Sequence, residues 1–156
     1  MKPINQADLT AILKVLDEST EMSLATCRPD GFPQSTTVNF VHEDLTLYCA
    51  VGLDSQKAHN IRANGKVSAT INRTRREWRD LQGISIGGIA TVLADAAQMR
   101  TTADRLLGRY PHLSQYIKGT GALPWSGMLF IRIVPQVISI LDYRERFGHT
   151  TLVELT

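Results

Sequence analysis

The chain has 156 residues, of which 43% are hydrophobic and 21% are charged, and its formal net charge is +2. This is ordinary globular composition over a length that one domain can fill, so we expect a single domain over residues 1–156 with a sizeable core. The composition excludes a disordered chain, and the small net charge gives no argument for a nucleic-acid partner, which we do not expect.

The N-terminal segment and the cysteines predict where the protein resides. The segment MKPINQADLTAILKVLDE carries Asp and Glu and lacks the unbroken apolar stretch of a signal peptide. No stretch approaches the ~20 apolar residues that a membrane span needs. Cys27 and Cys49 stand singly, without a CxxC pair or a disulfide framework. We therefore expect a cytoplasmic protein with no membrane partner.

The first half of the chain predicts one helix and three strands. Apolar residues recur at helical spacing between residues 5 and 18, which indicates an amphipathic helix. Residues 22–27, 34–41 and 45–51 have the composition of strands, and Asp30-Gly31 is a hairpin signal between the first two. We expect these three strands to form an antiparallel meander.

The second half predicts further strands and two helices. The helices are a short one around residues 58–62, ended by Asn64-Gly65, and a longer one over residues 96–111. The strands are 67–72, 83–95, 128–135 and 136–141, with a bend at Pro135 between the last two. The glycines of 83–95 predict a bulge or a close approach to the backbone. An antiparallel sheet of six or seven strands in so short a chain favours a barrel, because closure removes exposed edges.

Several familiar motifs are missing. There is no GxxxxGK[ST], no GxGxxG after a strand and no GxSxG. The four histidines stand far apart without HxxxH spacing, so we expect no metal site. The basic cluster at residues 73–77 lies in a predicted loop and is either a solvated connector or, as a functional surface, a rim for an anionic ligand or a nucleic-acid patch.

The segment GLDSQKAHNI, residues 52–61, favours an anion site. Gly52 allows a sharp turn from strand to helix, and a helix beginning near Ser55 directs free N–H groups outward. Lys57 adds a positive charge close by. A simpler interpretation is that Asp54 or Ser55 is only an N-cap and that Lys57 is solvated.

The preceding strand QSTTVNF, residues 34–40, is unusually polar for the centre of a sheet. Threonine favours strands in any case, so packing alone can explain part of the pattern. In the predicted meander, however, this strand lies beside Tyr48, Cys49 and Ala50, which lead into the anion segment. Together the two features indicate a ligand with a hydrogen-bonding body and a phosphate tail.

The order of these segments resembles the pyridoxamine 5'-phosphate oxidase-like, FMN-binding split-barrel superfamily. The matching segments are LATCRPDGFPQSTTVNF, LTLYCAVGLDSQKAHNIRANGKVSATIN, and Trp78 with LQGISIGGIATVLAD. The resemblance covers roughly residues 20–95, with a looser match through 128–142. It implies a mainly β (α+β) chain folded as a six-stranded antiparallel Greek-key split β-barrel with flanking helices, and a homodimer with FMN in clefts between the protomers.

The resemblance also implies which residues bind the cofactor. Ser35, Thr36, Thr37, Val38 and Asn39 would line the isoalloxazine and ribityl chain, Tyr48, Cys49 and Ala50 would lie behind the ribityl chain, Ser55, Gln56 and Lys57 would hold the phosphate, and Gln82 would reach the ring. Trp125 and the segment 147–149 are candidates for covering the flavin.

The function implied is an FMN-dependent oxidoreductase acting on a small molecule, with no catalytic residue assigned. Two departures bear on the substrate: the second strand lacks the arginine often found in the phosphate cluster, and the C-terminal arginine-and-tryptophan segment that grips pyridoxal phosphate is absent. The alternative is a split barrel that carries flavin, deazaflavin or haem without turnover. For haem, His149 would be the first ligand to consider.

Overall fold

The computed structural model describes residues 1–117 and 121–155. Its helices are α1 (Gln6–Glu18), α2 (Gln56–Ala63) and α3 (Ala96–Arg109). Its strands are β1 (Lys2–Pro3), β2 (Glu21–Cys27), β3 (Pro33–Asn39), β4 (Val41–Glu43), β5 (Thr46–Gly52), β6 (Lys66–Asn72), β7 (Gln82–Val92), β8 (Met128–Asp142) and β9 (Thr150–Glu154). The predicted mainly β (α+β) class with flanking helices is confirmed. No helix in the described ranges is long and apolar enough to cross a membrane.

Helix α1 begins at a capping box, which fixes its start. The Asn5 side chain accepts a hydrogen bond from the Asp8 backbone N–H at 2.9 Å, and the Asn5 N–H donates to the Asp8 carboxylate at 3.2 Å. Ile12, Val15 and Leu16 form its buried face. The helix predicted over residues 5–18 is thus confirmed, with Asn5 as its cap.

The strands form one sheet that does not close. The order along it is β1-β9-β8-β7-β6-β2-β3, while β5 pairs with β8 and with β4. All pairs are antiparallel except β1 with β9. Strands β3 and β5 both border the gap in the barrel, and no ladder joins them in the described structure. This gap is the split of a split barrel.

The predicted three-stranded meander is wrong in one respect. Strand β3 ends at Asn39, and the chain begins a new short strand, β4, which forms the hairpin with β5. Phe40, which is fully buried, lies between the two strands and turns the chain toward the core. Asp44 closes the β4–β5 turn with a φ of 49°. The polar strand therefore faces β5 across the split without pairing with it.

The bulge predicted in the glycine-rich strand is confirmed. The register between β7 and β8 shifts at Gly87 and Gly88, opposite Pro135 and Val137. The two strands predicted on either side of Pro135 are instead one continuous strand, because the bulge accommodates the proline within the ladder. A Cβ on Gly88 would lie 2.7 Å from the carbonyl oxygen of Val134, so this glycine permits close strand packing.

The nine described strands exceed the six of the predicted barrel, because the predicted strand 34–41 is divided into β3 and β4 and because β1 and β9 are added at the two ends of the chain. Strand β9 joins the edge of β8, and β1 adds to β9 in parallel. Neither β1 nor β9 is among the strands predicted from the sequence. A two-residue strand such as β1 has no periodicity that a sequence pattern can reveal, so this pairing depends on the tertiary fold.

Two apolar clusters position the candidate site. The larger fills the barrel and includes Leu24, Cys49 and Ile131. The smaller lies beneath α3, where Leu106 and Trp125 pack with Phe130. The split between β3 and β5 opens between these clusters.

Candidate functional site

A cavity of about 290 Å³ lies at the split between β3 and β5. Its walls come from both strands, from the start of α2, from α3 with the segment that follows it, and from the turn before β8. The lining residues are Thr37, Val38, Asn39, Ala50, Val51, Gly52, Lys57, Leu106, Leu113, Tyr116, Ile117, Trp125, Ser126 and Met128. Polar groups therefore lie on the β3 and α2 sides, and apolar groups lie on the α3 side.

The two strands present open backbone edges to the split. Among the described strands, β3 pairs only with β2, and residues 49–52 of β5 pair only with β8. Backbone N–H and C=O groups along the opposite edges thus have no ladder partner. A ligand in the split can receive hydrogen bonds from the main chain as well as from side chains.

Helix α2 places its first turn and Lys57 at one end of the cavity. Ser55 is its N-cap: the hydroxyl accepts from the Ala58 N–H at 3.2 Å and donates to the Gly52 carbonyl at 2.7 Å. The first backbone bond of the helix runs from the His59 N–H to the Ser55 carbonyl. The N–H groups of residues 56 and 57 therefore have no intrahelical acceptor, and the helix dipole favours an anion there.

The Ser55 side chain accordingly acts as a cap, as in the simpler interpretation of the sequence. Its hydroxyl is already engaged by the turn, so it is not a free phosphate ligand. Lys57, in contrast, lines the cavity, and no carboxylate of the described residues lies within 4.0 Å of its ammonium. Gln56 donates its amide to Asn60 at 2.8 Å and does not line the cavity.

Only the end of the polar strand β3 borders the cavity. Thr37, Val38 and Asn39 line it, whereas Ser35, which is exposed on the same face as Thr37, does not. Asn39 donates to the Thr20 carbonyl at 3.2 Å. The Thr36 hydroxyl oxygen is buried and has no hydrogen-bond partner among the described residues. A buried unpaired hydroxyl is unfavourable, but Thr36 is not among the residues that line the cavity.

The three predicted residues on β5 do not all face the candidate cavity. Alternation along the strand turns Cys49 into the barrel core, where it is fully buried and where burial raises the pKa of its thiol to about 12. Ala50 lines the cavity on the other face. Tyr48 lines a second cavity of about 220 Å³ beside the ion pair of Arg105 with Glu43. Only Ala50 of the three borders the candidate site.

Trp125, the candidate for covering the flavin, lines the cavity. The residue is only 6% exposed, and its ring packs edge-to-face on Phe130, with ring centroids 5.0 Å apart. It therefore forms a rigid apolar wall.

Gln82 and His149 lie away from the cavity in the same chain. Gln82 pairs with Asp142 at the far end of β8, while the cavity lies near Met128 at its beginning. The Gln82 amide donates to Asp142 at 3.0 Å and accepts from Arg73. His149 contacts Glu145 at 3.0 Å in the turn before β9. The structure of one chain does not bring these residues to the cavity.

The α3 side of the cavity was not predicted from the sequence. Leu106 lies in α3, Leu113 lies in the 3-10 turn Pro111–Gln115, and Tyr116 follows that turn. Their apolar spacing gives no sign of a cavity, because the gap depends on how α3 packs across the split. Met128 could have been inferred once Gly52 was placed, since the two residues pair directly.

Several solved structures of other proteins have a similar fold. A heme binding protein of Mycobacterium smegmatis is 12% identical with a TM-score of 0.81, over 97% of this chain and 59% of that chain. A FAD-binding protein of Mesorhizobium loti is 23% identical with a TM-score of 0.67, over 88% of this chain and 94% of that one. General Stress Protein 26 of Bacillus anthracis is 22% identical with a TM-score of 0.68, over 94% and 98%. Among curated proteins, none matches this chain.

The sequence profile of the family described as pyridoxamine 5'-phosphate oxidase matches residues 9–123. This range runs from α1 through the split and the start of α2 to the segment after α3, and so includes most of the cavity. Such a match over most of the chain, together with the split barrel, identifies the family. The chain belongs to the pyridoxamine 5'-phosphate oxidase family.

Proposed function

We propose that the split cavity binds FMN and that the protein is a flavin-dependent oxidoreductase acting on a small molecule. The observation that carries the proposal is Lys57: an ammonium without a carboxylate partner in the described chain, placed beside the free N–H groups of α2 at the end of a cavity. This arrangement suits a phosphate ester, since the helix dipole and the ammonium both favour negative charge.

The remaining donors fit the body of a flavin. The open edges of β3 and β5 offer main-chain groups to a polar ring and a polyol chain. Thr37 and Asn39 add side-chain polar groups on the β3 wall. Trp125 and Met128 supply apolar surface on the opposite side. Such a mixture of apolar walls and a few directed polar groups is typical of cofactor sites.

The bound flavin would supply hydride or electron transfer, while this chain's residues bind, orient and shield it. Lys57 and the first turn of α2 would hold the phosphate. Strand β3 would fix the orientation of the ring, and Trp125 would exclude water from one wall. These roles require no catalytic triad or metal cluster.

Haem is the main alternative ligand, since one protein of similar fold is a heme binding protein. No histidine is among the residues that line the cavity. His149, the ligand considered from the sequence, lies in the turn after β8 and contacts Glu145. These observations favour a flavin over haem within one chain.

We further propose that the protein is a homodimer whose partner completes the site. The cavity is at the small end of the ~300–1,000 Å³ usual for ligand sites, so one chain encloses only part of a flavin. The outer face of the sheet carries a row of uncharged residues: Thr37, Ser23, Thr70, Ser85 and Ser139, paired strand to strand. A face depleted of charge suits a protein interface. In such a dimer, Gln82 would serve the cavity of the other subunit.

The visible spectrum of the purified protein tests the cofactor. We expect flavin absorbance bands, or tight binding of added FMN measured by quenching of its fluorescence. A Soret band, or no binding of FMN, would show that the cofactor proposal is wrong. Steady-state reduction of the bound flavin by a nicotinamide nucleotide then separates an enzyme from a protein that only carries flavin.

A further inference from the structure

A buried side-chain network ties α2 to the two strands beneath it. Asn60, in the second turn of α2, is fully buried. Its amide nitrogen donates to the Thr26 hydroxyl of β2 at 2.9 Å and to the Gln34 side-chain oxygen of β3 at 3.3 Å. Its amide oxygen accepts from Gln56 at 2.8 Å. Both amide hydrogens and the oxygen thus have partners.

Burial of α2 against the barrel does not require this network. Ala58 and Ile61 already give α2 an apolar face against the barrel core. A buried amide adds little net stability when it is paired, and an apolar residue of similar shape is often as stable there. What the amide adds is direction, since its three bonds are satisfied in only one placement of the helix.

The network joins the two sides of the candidate site. On one side, Gln56 is the first residue of α2 and precedes Lys57 directly. On the other side, Gln34 lies two residues before Thr36 and four before Val38, which lines the cavity. The bonds through Asn60 therefore fix the distance between the phosphate end and the β3 wall.

We propose that Asn60 is a positioning residue that sets the first turn of α2 against β3, so that Lys57 and the strand meet on one ligand. This inference rests on the proposed binding of FMN. It predicts an effect on phosphate recognition in particular, because the network acts on the turn that faces the phosphate. Riboflavin, which has the same ring and polyol chain without the phosphate, is the matched probe.

The test uses Thr26, which touches Asn60 but does not line the split cavity. Thr26→Val keeps the shape and removes the hydroxyl, so it leaves a buried amide hydrogen without that acceptor. Thr26→Ser keeps the hydroxyl and is the control. For each full-length variant, the dissociation constants of FMN and riboflavin are measured by fluorescence quenching, alongside thermal unfolding without ligand.

We expect Thr26→Val to lower the FMN-over-riboflavin preference about tenfold, while Thr26→Ser retains it. Asn60→Leu should lower the preference further; if that variant does not fold, the Thr26 pair decides. A role limited to stability would lower the unfolding temperature and leave the ratio of the two affinities unchanged.

The outcomes separate this inference from the proposed function. If the wild type prefers FMN and Thr26→Val keeps that preference, the positioning role is wrong and the phosphate site stands. Equal loss in Thr26→Val and Thr26→Ser also contradicts it, since the hydroxyl would not be the cause. If the wild type binds riboflavin as tightly as FMN, or neither, the phosphate site itself is wrong and the inference falls with it.

Discussion

Lys57 is the residue on which the proposed phosphate site depends most. We expect Lys57→Ala to weaken FMN binding by about 1–3 kcal/mol, roughly five- to 150-fold, because a charge-assisted contact is lost. Titration of FMN fluorescence measures the change. Arg100→Ala is the matched control, since it removes an exposed cation of α3 that does not line the cavity. An unchanged affinity in Lys57→Ala would place the phosphate elsewhere.

Asp142 should make folding stability depend on acid pH. Hydrogen bonds from the Arg144 side chain, the largest cause, and from Gln82 lower the pKa of its carboxyl from 3.8 to about 2. In that window the unfolded chain binds a proton that the folded chain does not, so stability falls as pH falls and is fully present above the unfolded value.

Urea unfolding at a series of pH values measures this contribution. We expect the free energy of unfolding of the wild type to fall more steeply below about pH 4 than that of Asp142→Asn, which cannot titrate. Other carboxyls with lowered pKa, such as those of Asp30 and Glu43, contribute equally to both proteins. Parallel curves for the two proteins would contradict the assignment.

At the scale of elements, β7 and β8 form the longest ladder among the described strands. We expect Gly88→Ala to lower the free energy of unfolding by about 1–3 kcal/mol, because its Cβ would meet the Val134 carbonyl oxygen at 2.7 Å. Urea unfolding measures the change. Gly108→Ala is the control: a Cβ there meets nothing within 4 Å, and α3 should gain about 0.5–1 kcal/mol. Equal effects at both sites would contradict this role for Gly88.

The elements themselves differ in how far local pattern predicts them. Helix α1 and strand β2 follow from their own periodicity, and Asp30-Gly31 marks the hairpin turn. The end of β3 does not, because the residues 34–41 form one unbroken strand-like run. It ends where Phe40 turns into the core, and that burial depends on elements distant in sequence.

For the whole molecule, the decisive question is assembly. We expect Ser85→Arg to give a folded monomer, because it places a charge in the middle of the uncharged row on the outer sheet face. Sedimentation or light scattering of the wild type should give a dimer. Thr10→Arg, on the exposed face of α1, is the control and should leave the dimer intact. A monomeric wild type would contradict the homodimer.

The sequence by itself determined the local elements and the segment at residues 52–61. Periodicity, turn residues and caps act over a few positions, so they predicted helices α1 to α3, an irregularity in the glycine-rich strand 83–95 and the turn into α2. The order of these segments also indicated the family, which the profile match confirms. Lys57 was identified because a cation at a helix start is a local feature.

Only the tertiary structure decided which predicted residues share the cavity. Strand alternation and packing turned Cys49 into the core and left Gln82 at the far end of β8. The same packing placed Leu106 at the split and left the Thr36 hydroxyl without a partner. These outcomes depend on contacts between residues far apart in the chain, which no local pattern contains. The physical reason is that the split is a gap between elements that are distant in the chain, so no single sequence segment encodes it.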